Sequence, residues 1–165
     1  MKLSGAWLLA ICLLMPLWSA GQIHAQEGHG ALIRSFGETY YVPAYSRIRS
    51  LENRSELLAS TLTIHNVDPD VTITIAGVSY HNASGEKIRD LLDTEISLPP
   101  FASGDFLIPV NDVSGGFGAN FIAAWTSDAP ALSPIVEAVM IGSPGSPGAS
   151  FTSRGRVIMR SDSSN

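Results

Sequence analysis

Hydrophobic positions along this chain follow two different patterns. The first 25 residues carry a continuous apolar run, Ala6–Trp18, interrupted only by Pro16, after Met1-Lys2 and before the small residues of Ser19–Ala25. A basic start, a short apolar stretch and a small-residue end are the features of a secretory leader, and the stretch is too short to span a bilayer. Cleavage is expected after Ala25, with Gly21 as the alternative. Met1–Ala25 is therefore set aside from the fold.

The rest of the chain, after an aperiodic start, is a series of short β-branched and aromatic runs separated by turn signals. Residues 26–39 read as a flexible lead, polar and aperiodic through Gly37. A strand follows over 38–45, with Pro43 placing it at an edge or bulge. In 57–65, Leu58, Leu62 and Ile64 fall on one face, and Thr61, Thr63 and His65 on the other. Asn66–Asp70 is a turn cluster. In 71–80 the apolar phase slips at Gly77, which predicts a β-bulge. The 86–92 segment fits a strand or one helical turn. Further strands are predicted over 95–98, 105–110, 120–126, 133–141 and 150–159, separated by the Gly-rich 112–118 loop and the Ser143–Gly148 turn. Residues 161–165 form a polar tail.

No segment after the leader keeps helical periodicity for three turns. Short strands at regular spacing with Pro/Gly turns predict one all-β domain over 40–160. Its expected form is an antiparallel β-sandwich of seven to nine strands, immunoglobulin- or fibronectin-like. Segment 120–126 is apolar on both faces, so it should be a central strand with Trp125 in the core.

Composition narrows the setting. The formal net charge is −5 and becomes −6 once Lys2 leaves with the leader. A chain this acidic, with no basic run beyond Arg154, Arg156 and Arg160, is a poor partner for nucleic acid. The single cysteine, Cys12, lies in the leader. Ile11 before it argues against a lipid anchor, and the exported chain has no thiol or disulfide. No second apolar stretch reaches membrane-spanning length. Asn53-Arg54-Ser55 and Asn82-Ala83-Ser84 are glycosylation sequons, meaningful only in a eukaryotic host.

Candidate chemistry is sparse. If 57–65 and 71–80 pair as a hairpin, His65 and His81 lie at opposite ends, on the order of 30 Å apart. His29 falls in the lead. No metal site and no cofactor is therefore expected. Ser79 and Ser84 flank His81, but no nucleophile motif and no carboxylate orient a triad, so no enzyme is predicted. The most unusual segment is Asp112–Asn120. Its glycines can expose successive backbone N–H groups to an anion, and Asp112 and Asn120 can offer oxygens to calcium. The plain alternative is a connecting loop with Phe117 as an exposed aromatic. The candidate ligand-binding residues are Asp112, Ser114, Gly115, Gly116, Phe117 and Asn120. Glu137 is the one charged residue in the run Ile135–Ile141, and closure of the 143–148 turn puts it opposite Arg154. A buried carboxylate needs such a partner.

Five segments together resemble a known family: Tyr41-Val42-Pro43-x-Tyr45-Ser46, Leu62-Thr63-Ile64-x-Asn66-x-Asp68, Gly115-Gly116-x-Gly118-Ala119-Asn120-Phe121, Val136-Glu137-Ala138-Val139-Met140 and Phe151-Thr152-Ser153-Arg154-Gly155. They are similar to exported bacterial proteins filed as a domain of unknown function. The resemblance spans Tyr40 to Ile158 and implies a periplasmic or envelope setting. It brings no catalytic residues. The expected function is a non-catalytic binding or envelope-assembly module, with an unknown protein or small molecule of the envelope as partner. The alternatives are a small-ligand or ion binder using the 112–120 loop, and a hydrolase with an unfamiliar site.

Overall fold

The computed structural model describes residues 32–142 and 148–162. The expected leader with Cys12, the residues up to Ala31 with His29, most of the Ser143–Gly148 turn and the end of the tail lie outside the described residues. Eleven strands form two antiparallel sheets. They are β1 (Arg34–Pro43), β2 (Arg47–Leu51), β3 (Arg54–His65), β4 (Ile73–His81), β5 (Lys87–Asp90), β6 (Ile96–Leu98), β7 (Ser103–Ile108), β8 (Asn120–Leu132), β9 (Ile135–Gly142), β10 (Ser150–Arg154) and β11 (Arg156–Ser161). One sheet has the order β11-β1-β8-β4-β5, with β6 also on β4; the other is β10-β9-β3-β2, with β7 also on β3. No helix among the described residues is long and apolar enough to cross a membrane.

The chain is a β-sandwich because alternation gives each sheet one apolar face. Tyr40, Val42, Val78, Tyr80, Phe121, Ala123 and Trp125 face inward from the first sheet. Leu58, Leu62, Ile64, Phe106, Ile108, Val136, Ala138 and Met140 meet them from the second. Each large side chain fully buried this way contributes roughly 1.5–3 kcal/mol. β8 lies between β1 and β4, with Trp125 only 2% exposed.

Several expectations are corrected. Among the described residues the sandwich has eleven strands, not seven to nine, and β2 lies where no strand was predicted. The 26–39 lead is too long: β1 starts at Arg34, with Ser35 and Glu38 buried. Segment 86–92 resolves to strand β5. The 57–65 and 71–80 strands are not a hairpin, because β3 and β4 belong to different sheets. The turn between them is a corner that crosses the sandwich, built by two buried polar side chains. Asn66 Nδ2 donates to the Val71 and Leu98 carbonyls, and its Oδ1 accepts from Asp68 N–H. Asp68 accepts from the N–H groups of Asp70, Val71 and Leu132 and from the Arg34 guanidinium at 2.7 Å.

The predicted 150–159 strand is two strands. It changes sheets at Gly155, whose N–H donates to the Val136 carbonyl at 2.8 Å. A Cβ at Gly155 would lie 2.9 Å from Tyr40 Cδ1 and 3.0 Å from the Val136 oxygen. Glu137 does face Arg154 in the β9–β10 register, yet the two make no ion pair. The buried phase of β9 is Val136, Ala138 and Met140. Glu137 shares the outer face with Ile135 and Ile141, both about half exposed, so water solvates its carboxylate and no partner is required.

Candidate functional site

The Gly-rich loop is a pinned connection rather than an open cradle. Asp112 Oδ1 accepts from the Ser114 N–H and hydroxyl, and its Oδ2 accepts from Arg89 at 2.6 Å. Burial pushes the Asp112 carboxyl up, but the Ser114 hydroxyl and the Arg89 guanidinium outweigh it and hold the group below its ordinary value. A Cβ at Gly115 would run into the Tyr80 hydroxyl and the Ala119 methyl. Gly116 takes φ 74°, and its carbonyl accepts from Ser46 Oγ at 2.9 Å. Ala83 N–H donates to the Gly115 carbonyl and Ala44 N–H to that of Ala119. Asn120 has left the loop: it opens β8, buried between Pro43 and His81. Ser114 and Phe117 are the exposed members of the six, and the Phe117 ring lies against Arg47 and Arg49. None of the six lines the groove described below.

His81 has a serine partner. Its Nε2 is 2.9 Å from Ser79 Oγ, and its Nδ1 is 3.3 Å from the Gly85 carbonyl. A backbone oxygen stands where a triad has a carboxylate. Among the described residues, no three His, Cys, Asp or Glu side chains converge as metal ligands.

The cavity lies elsewhere, on the outer face of the first sheet. Thr39 on β1 faces Ala124 on β8 and Met159 on β11, and Thr74 on β4 faces Thr126. These residues and Ala76 belong to the outward phase of their strands, so four adjacent strands present a floor of small and hydroxyl side chains. Two irregularities fold the edges up. On β1, the register jumps between Ser35 and Gly37, and residues 127–130 of β8 face Phe36 alone. On β4, Ala76 is the extra residue between Ile75 and Gly77. Bulges twist and bend a strand locally. Gly37 allows the close approach, since a Cβ there would lie 2.6 Å from the Trp125 oxygen. The result is a groove of about 630 Å3, with Phe36, Met159, Glu95 and Asp128 among its lining.

The groove's lining also includes a buried carboxylate. Glu38, with its side chain fully buried, accepts from the Tyr40 hydroxyl at 2.7 Å, Ser133 Oγ at 2.9 Å and Arg160 Nε at 2.8 Å. Burial, then the bond to and charge of Glu38, push the Tyr40 phenol well above its ordinary value. The sequence carried a signal for this group: Glu38 shares phase with Tyr40 and Val42, a charge in the core-facing set. By contrast, Glu95 and Asp128 on the groove make no ion pair or hydrogen bond among the described residues. Two carboxylates with free acceptor oxygens, beside threonine hydroxyls, suit a ligand that donates hydrogen bonds.

The comparisons bear on the whole sandwich. The family described as "Protein of unknown function (DUF3124)" matches residues 37–158. The chain belongs to the DUF3124 family. The DUF3124 match runs from the β1 bulge at Gly37 into β11, so it takes in both sheets, the crossing corner and the sheet switch at Gly155. The crystal structure of Thermotoga maritima 1070 is similar over 72% of this chain and 92% of its own, with 11% identity and a TM-score of 0.43. No curated protein matches the sequence.

Proposed function

We propose that this DUF3124 protein is an exported, non-catalytic binding module of the cell envelope, and that the groove over β11, β1, β8 and β4 is its binding face. The leader-like run at the N-terminus supports export. The groove carries the rest. Its volume of about 630 Å3 falls within the range of small-molecule sites, roughly 300–1,000 Å3. Its floor is small, its flanks hold Phe36 and Met159, and Glu95 and Asp128 have unspent acceptor oxygens. That chemistry suits a small molecule, or one end of a larger partner, bearing amino or hydroxyl groups.

The test is a thermal-shift screen of the exported chain against amines, amino sugars and polyols. Binding to the native state raises the melting temperature by mass action. Hits should appear, and Ala124→Trp, which fills the exposed floor without touching the core, should remove them. Hits that survive Ala124→Trp, or a panel without hits, would sink this reading.

A further inference from the structure

We infer that Arg47, Phe117 and Arg49 form a second binding site, one for a phosphoryl group attached to an apolar moiety. Arg47 and Arg49 alternate on β2, so their side chains leave the same face. Their guanidinium carbons lie 5.5 and 4.9 Å from the centroid of one ring, that of Phe117. Neither arginine makes an ion pair among the described residues. The other basic groups are mostly spoken for: Arg34 pairs with Asp68, Arg54 with Glu56, Lys87 with Asp90, Arg89 with Asp112 and Arg160 with Glu38. The nearby carboxylates do not neutralise the pair. Arg49 reaches Glu52 only at its backbone carbonyl, Glu56 is held by Arg54 and Ser50, and Asp112 is held by Arg89. Arg47 Nε is buried with no acceptor among the described residues.

Two positive charges gathered on one ring, in an acidic chain, call for an anion between them. Guanidinium forks match the oxygens of phosphate or carboxylate. Two separate forks favour the phosphoryl group, which has oxygens enough to meet both. The surroundings specify the apolar part of the ligand. Phe117 is 39% exposed, Val113 in the same loop 43%, and Leu51 at the end of β2 66%. The ring is locked in place by its own loop, because Ser46 Oγ holds the Gly116 carbonyl. A phospholipid headgroup at an envelope membrane and a soluble phosphate ester share this chemistry. The site is independent of the groove, which none of these residues lines.

Two probes distinguish the sources: calorimetric titration with phenyl phosphate, and flotation with phosphatidylcholine vesicles with and without phosphatidylglycerol. The exported chain should bind at least one, and vesicle binding should require phosphatidylglycerol. Arg47→Gln with Arg49→Gln should weaken binding about tenfold or more, as expected for loss of charge-assisted bonds. Phe117→Leu, which keeps the loop apolar, should weaken it less. Arg154→Gln with Arg156→Gln removes the same charge elsewhere and should leave binding unchanged. Binding of neither probe, or equal loss in both double variants, overturns the site.

Discussion

Glu38 and Arg160 face each other across β1 and β11, and the guanidinium donates to the fully buried carboxylate at 2.8 Å. This pair ties the edge strand to the sandwich at the groove. Removing one member of a buried pair leaves a charge without compensation, at about 3–5 kcal/mol. Arg160→Met should therefore destabilise by an amount in that range, reduced by the partial exposure of Arg160. Urea unfolding checks it. A change below about 0.5 kcal/mol, the scale of an ordinary surface substitution, would show that water already solvates Glu38.

Gly77 and Gly115 should respond oppositely to alanine. A Cβ at Gly77 meets nothing within 4 Å, whereas one at Gly115 collides with Tyr80 and Ala119. Gly77→Ala should be neutral or stabilising by about 0.4–1 kcal/mol through the unfolded chain. Gly115→Ala should cost about 1–3 kcal/mol by overpacking. Melting curves of the two variants, compared side by side, decide this. Equal effects would mean that the loop relaxes around the new methyl.

Trp125 fills the core between the sheets, but its indole N–H has no partner among the described residues. Trp125→Ala should cost about 3–5 kcal/mol. Trp125→Phe should cost well under half of that, because it loses volume and no hydrogen bond. Similar losses in both would reveal a polar contact at the indole nitrogen.

Acid should weaken the corner at Asp68. Burial raises this carboxyl, but the N–H donors of Asp70, Leu132 and Val71, with Arg34, outweigh it and hold it below its ordinary value. A lowered folded-state pKa means that stability is present above the unfolded value, near 3.9, and is lost as pH falls through the folded one. Asp112 is lowered in the same sense. Stability should therefore drop below about pH 4, and Asp68→Asn should flatten that drop while lowering stability at neutral pH. An unchanged acid slope in Asp68→Asn would move the effect to other carboxylates.

The sequence revealed what depends on local alternation. β3 and β4 follow their period-two runs, the Gly77 slip marks a bulge, and the β9–β10 pairing sets Glu137 against Arg154 in the expected register. Sheet membership was not legible, because alternation is the same whichever sheet a strand joins. The crossing corner at Asn66–Asp68 therefore read as a hairpin turn, and the switch at Gly155 as continuous strand. The groove was hidden for a related reason. Its lining joins Thr39, Thr74, Ala124 and Met159, which are far apart in the chain and unremarked singly. The glycines of the Asp112–Asn120 loop are conspicuous in the sequence, yet Gly115 serves close packing against Tyr80 and Gly116 a left-handed turn.

The most direct test of the groove as the binding face is amide chemical-shift mapping of residues 26–165 with each thermal-shift hit. Saturable changes should cluster at Thr39, Thr74, Ala76, Ala124 and Thr126 and should be absent in Ala124→Trp. Changes centred on the outer face of β9 and β3, or on no contiguous surface, would contradict the account.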